Sequence, residues 1–132
     1  MTLESEISRT EAEMHAAGWA AHTSLQRELQ TWRDLAAEVA AYTPTIDDYT
    51  NDLCSRDYIA KFSAAASEGV QEYIASAVAE ADDRFRASTE PDVEGLVGHY
   101  FRIDDKDGWW WRRRPAGGPL ADYLAGRRGD GG

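Results

Sequence analysis

Between Leu3 and Ala41 the chain has no proline, and its larger side chains recur at helical spacing. Ile7, Met14, Ala21 and Leu35 lie seven residues apart or a multiple of it, with Gly18, Leu25, Trp32 and Val39 in a second row beside them. Seven residues are close to two helical turns, so both rows fall on one face and form an apolar stripe. An unbroken helix here would be about 58 Å long at 1.5 Å per residue, more than a compact domain of this length spans. Either it breaks or it overhangs. Gly18-Trp19 is the weak point, since glycine lowers helix propensity by about 1 kcal/mol. An overhanging helix would pack on a second copy of the chain and make a homodimer through the Leu3 to Ala41 helix.

The next boundaries are set by proline. Thr43-Pro44 stops the first helical stretch, because the residue before proline is pushed out of the α region. Thr45 can cap a second helix through Ile46, Tyr49, Leu53, Tyr58 and Phe62, with a kink expected near Cys54-Ser55. Ser67 can cap a third, in which Val70, Tyr73, Ile74, Ala77, Val78, Ala81 and Phe85 keep the i, i+3, i+4 pattern until Thr89-Glu90-Pro91. Beyond Pro91 the pattern changes. His99 to Ile103 and Trp109 to Arg112 are β-prone, and Asp104 to Gly108 has the composition of a hairpin turn. Pro119 to Leu124 reads as a last helical turn. The expected fold class is therefore mainly α: a bundle of three to four helices with a long N-terminal helix and a short C-terminal β-hairpin or extended arm. It forms a single domain over 1–125, the arm covering 95–115, with a disordered tail at 126–132.

The hydrophobic share of 42% and five tryptophans argue for a folded chain. The lone Cys54 has no cysteine to pair with, no apolar stretch reaches membrane-spanning length, and Met1 to Ser8 lacks a basic leader and a hydrophobic run. A cytoplasmic location without membrane attachment is the resulting expectation. Ala, Arg and Gly usage has the character of a high-GC bacterial genome. The net charge of −10 is unevenly distributed: residues 1–94 carry 7 basic and 19 acidic side chains, residues 95–132 carry 7 and 5. Such a helical body repels nucleic-acid phosphates and favours a basic partner.

Trp109-Trp110-Trp111-Arg112-Arg113-Arg114-Pro115 is the most unusual stretch. Tryptophan and arginine are enriched at interface hot spots. In a strand, Trp109 and Trp111 would face the core and Trp110 the solvent, with the arginines pairing to acidic helices at the rim. Trp110, Arg112, Arg113 and Arg114 are thus the candidate binding residues.

Other constellations are weaker. Asp47, Asp48, Asp52 and Asp57 cluster on the second helix, and Glu68, Glu72, Glu80 and Asp83 on the third. The Glu80 to Asp83 spacing resembles the magnesium site of all-α nucleotide pyrophosphohydrolases, but the ExxE pair that such a site needs one helix earlier is absent. Asp105, Asp107 and Gly108 imitate part of an EF-hand loop, with Ile103 and Arg114 at positions where ligands belong. His15 and His22 are seven apart, hence about 10 Å along a helix, too far to share an ion. No nucleophile motif, P-loop or dinucleotide fingerprint occurs. Arg128-Gly129-Asp130 and Gly131-Gly132 copy an adhesion tripeptide and a modifier terminus without the context of either.

Arg84 to Thr89 followed by the Trp-Trp-Arg-Arg-Pro run resembles small bacterial proteins, some of them proposed toxin-immunity proteins, over about the last third of the chain. The resemblance brings no functional residues with it. The expected function is a small non-enzymatic protein-binding protein, of immunity or antitoxin type, that engages a basic protein without metal, cofactor or nucleic acid. Two alternatives stand beside it: a small all-α metal-dependent hydrolase using helix carboxylates, and a self-associating structural subunit.

Overall fold

The computed structural model describes residues 2–43, 45–100, 102–103 and 108–130. The chain is mainly helical, with a two-stranded antiparallel sheet towards the C-terminal side. No helix of the described residues is long and apolar enough to cross a membrane.

The long N-terminal helix is not one helix but two, and the break lies where glycine allows it. Helix α1 (Leu3–Ala16) is capped by Thr2, whose hydroxyl accepts from the Ser5 amide. It ends at Gly18, whose φ of +110° is open to glycine and strained for any other residue. There the Trp19 amide donates to the Met14 carbonyl and the Gly18 amide to that of His15. This is the Schellman pattern that satisfies the last carbonyls of a helix. Helix α2 (Leu25–Glu38) restarts with Ser24 as cap, and its Leu25 amide donates to the Glu11 carboxylate of α1. The turn brings α2 back against the body of the protein. Leu25, Trp32, Leu35 and Val39, expected as a seam for a partner, are consequently buried within the chain itself, while Ala21 is exposed.

Helix α3 (Ile46–Ala65) opens with a full capping box between Thr45 and Asp48 and runs on without interruption past Cys54-Ser55. Helix α4 (Glu68–Ser88) buries Val70, Ile74, Val78, Ala81 and Phe85, the stripe anticipated from its spacing. Helix α2 packs mainly on α3 and α4. The core lies between these three, around Leu29, Trp32, Leu53, Tyr58, Ile59, Phe62 and Phe85.

The C-terminal arm departs from expectation. Strand β1 is Thr89–Pro91 and strand β2 is Arg113–Pro115, in antiparallel register Thr89↔Pro115, Glu90↔Arg114 and Pro91↔Arg113. Each strand ends in a proline, which has no amide to extend the ladder, and this limits the pairing to three residues. Trp109–Arg112, expected as a strand, forms a 3₁₀ turn instead. Of His99 to Ile103, His99 ends another 3₁₀ turn, Val97–His99, Tyr100, Arg102 and Ile103 are not in a strand, and Phe101 lies outside the described residues. Of the hairpin turn expected at Asp104 to Gly108, residues 104–107 lie outside the described residues, including Asp105 and Asp107 of its EF-hand likeness. Helix α5 (Pro119–Asp130) begins with proline at its first position, extends past the single turn expected to end at Leu124, and buries Leu120 and Leu124. Gly131-Gly132 also lie outside the described residues.

Candidate functional site

The tryptophan and arginine segment turns inward. In the 3₁₀ turn, Trp110 is 5% exposed and Trp111 fully buried, while Trp109 is half-buried. The Trp110 and Trp111 indoles both donate to the Asp57 carboxylate of α3, at 2.9 and 2.8 Å. Adjacent strand residues point to opposite faces, so a strand could not bring both indoles to one carboxylate; the tighter turn can. The expectation that Trp110 faces solvent is therefore overturned by a specific acceptor. Gly108 is part of the arrangement, because a Cβ there would lie 2.3 Å from the Trp110 ring.

Beside this contact lies a second buried charge. Asp82 on α4 accepts from the Trp32 indole at 2.9 Å and takes the Arg56 guanidinium in a two-pronged contact at 3.0 Å for each bond. Arg56 also sits over the Trp110 ring, 4.5 Å from its centre, and over that of Trp32 at 5.8 Å. Arg86 lies 3.9 Å over Trp109. Cations stacked on indole faces keep both charge and apolar contact, which lets a basic segment dock without emptying the core of polar groups.

The arginines have separate tasks. Arg113 donates to the Thr89 hydroxyl and to the Arg86 and Thr89 carbonyls, closing the C-terminal end of α4, where last-turn carbonyls lack helical partners. Arg114 pairs with Glu90, Asp92 and Glu94. Burial works against its charged form, but the hydrogen bonds to Glu94 and Glu90 more than offset it and raise its pKa above the ordinary value. Asp92 in turn accepts from the Leu96 and Val97 amides. Of the four candidate binding residues, Arg112 alone is exposed.

The opposite end of α2 is different in character. Asp34 and Glu38 of α2 and Asp48 of α3 all act on Asp52 of α3. Burial is the largest cause of the raised Asp52 pKa; the Tyr42 hydrogen bond opposes it, and Asp48, Glu38 and Asp34 add to it. The Tyr42 hydroxyl donates to Asp52 at 2.8 Å, and burial and that carboxylate push its own pKa far upward. Among the described residues none of these four carboxylates has a salt bridge. Sequence placed the charges but not their meeting, which depends on how α2 crosses α3.

The remaining candidates are dispersed. His15 bonds the Thr23 carbonyl at 2.9 Å, and the exposed carboxylates Glu68, Glu72, Glu80 and Asp83 spread along α4. Among the described residues no group of three or more His, Cys, Asp or Glu is placed to hold a metal ion. Cys54 is half-buried beside the core. Two clefts are larger. One, of about 600 Å³, lies between α3 and α4 and ends at Arg56, Asp82, Arg86 and Trp110. The other, of about 460 Å³, lies between the first turns of α3 and α5, with Tyr100 and Tyr123 on its wall. No protein-family model, curated protein or solved structure matches the chain.

Proposed function

We propose that the chain is a non-enzymatic protein-binding protein that engages a basic partner, as immunity and antitoxin proteins do, through the acidic corner of Asp34, Glu38, Asp48 and Asp52. The observation that carries this reading is that Asp48, Glu38 and Asp34 all add to the effect of burial in raising the Asp52 pKa, while among the described residues none of the four carboxylates has a salt bridge. A protein that keeps like charges together keeps a field that draws opposite charge, speeds encounter and rejects wrong partners. The arginine segment supports the same assignment from the other side, since Arg113 and Arg114 serve the fold and leave the acidic corner as the concentrated charge available to a partner.

The test is affinity capture from cell extract with wild-type chain and with Asp34→Lys/Glu38→Lys, whose two sites are exposed on α2. A basic protein held by wild type in low salt should be released near 0.3 M salt, where the screening length falls to roughly 6 Å, and should not be held by the variant. Salt-insensitive capture, or equal capture by both chains, would sink the reading.

A further inference from the structure

The cleft between the first turns of α3 and α5 has a composition unlike the rest of the surface. Ile46, Pro119 and Leu120 give it an apolar floor, Tyr100 and Tyr123 an aromatic wall, and Asp47 a carboxylate; among the described residues no Lys or Arg lines it. The two tyrosines are fixed to each other by a 3.1 Å contact between their hydroxyls, with ring centres 6.4 Å apart. Tyr123 is 54% exposed, an unusual position for a large aromatic ring, and no cation of the described residues covers it. Elsewhere Trp19, Trp32, Trp109 and Trp110 each carry an internal cation on the ring face. The Asp47 carboxylate has no salt bridge among the described residues.

We infer that this cleft is a binding site for a small organic cation, an alkylammonium whose charge lies against Asp47 and the Tyr123 ring while its apolar part rests on Ile46 and Leu120. Size and composition agree with small-ligand sites, which are mostly apolar, measure about 300–1,000 Å³ and carry a few placed polar groups. Cations are attracted to tyrosine faces within about 6 Å of the ring centre, and aromatic cages use this to select quaternary ammonium groups. The two helix N-termini at the cleft bring a competing field, about half a positive charge each. Asp47 and Asp48 in the first turn of α3 and Asp122 in that of α5 outweigh it threefold, so the local field favours a cation over an anion.

Choline and its neutral carbon isostere 3,3-dimethylbutan-1-ol are the probes, titrated into the full-length chain with amide NMR shifts of Ile46, Leu120 and Tyr123 as readout. Choline should give saturable shifts confined to the cleft, with the isostere binding about fivefold to tenfold more weakly. Asp47→Asn and Tyr123→Leu, both at exposed positions, should each weaken choline by a similar factor, whereas Asp34→Lys/Glu38→Lys should change it less than about twofold. That last comparison separates this site from the acidic corner. Equal binding of the two probes would reduce the cleft to an apolar hole, and no saturable shift by about 50 mM choline would remove the site altogether.

Discussion

Asp82 gives the most demanding test of the architecture, because one carboxylate holds both a guanidinium and an indole that have little other recourse. In Asp82→Ala, Arg56, with 11% of its side chain exposed, would keep its charge without the counter-charge. Breaking one side of a buried ion pair costs about 3–5 kcal/mol. The Trp32 indole, which is fully buried, would also lose its acceptor, at about 1–3 kcal/mol for an orphaned buried donor. The two losses share one site and do not add fully, so we predict a total of about 3–6 kcal/mol, a large part of the 5–15 kcal/mol that a domain has. With a urea slope of about 1.5 kcal/mol/M the unfolding midpoint should fall by roughly 2–4 M. Urea titration followed in parallel by tryptophan emission and helical circular dichroism measures it. The companion variant Arg56→Met/Asp82→Ala removes the stranded charge and should be more stable than Asp82→Ala by about 1 kcal/mol or more. A loss under about 1 kcal/mol for Asp82→Ala, or a double variant no better than the single, would refute the description of this pair as buried and mutually dependent.

Two further outcomes follow from local geometry. Gly108→Ala places a methyl group 2.3 Å from the Trp110 ring; the displaced indole should lower stability by about 1–3 kcal/mol, read as a drop in melting temperature, and an unchanged melting point would show that the ring lies elsewhere. Asp52→Asn should act in the opposite sense. The folded-state pKa of Asp52 is raised, so its contribution is favourable while the carboxyl is protonated and is lost as pH rises through the folded value. The neutral amide should therefore be the more stable form at pH 7, by a few tenths of a kcal/mol or roughly 1–2 °C, and the advantage should vanish by about pH 4. A variant less stable than wild type at pH 7 would contradict the sign.

The helices were legible because their ends are written in side-chain chemistry. Thr2, Thr45 with Asp48, and the prolines at 44 and 91 mark boundaries by local rules, and Gly18 marks the break at which its left-handed backbone is needed. The arm was not legible, since β-propensity describes how a residue fits a pleated surface, and the sheet that forms takes in only Arg113–Pro115, after the tryptophans. What decided its conformation was Asp57, more than fifty residues away along the chain. Asp82 could have been noticed: it lies four residues after Val78 and three before Phe85, a carboxylate on the apolar stripe of α4. Helical spacing alone offers it no partner, because Trp32 and Arg56 come from other helices. The acidic corner and the tyrosine cleft are likewise products of tertiary crossing, with no signature at any one position.

The double indole contact at Asp57 also orders events in time. Pairing of α2 with α3 and of α3 with α4 joins neighbours in sequence, whereas the Trp110 and Trp111 contacts with Asp57 span 53 and 54 residues, much as the α2–α4 contact between Trp32 and Asp82 spans 50. Closing a longer loop loses more chain entropy, and the reward here exists only once α3 has set the carboxylate in place. Refolding should then begin with the pairing of neighbouring helices and finish with the long-range closures, among them the capture of Trp110 and Trp111 by an Asp57 carboxylate that α3 has already set in place.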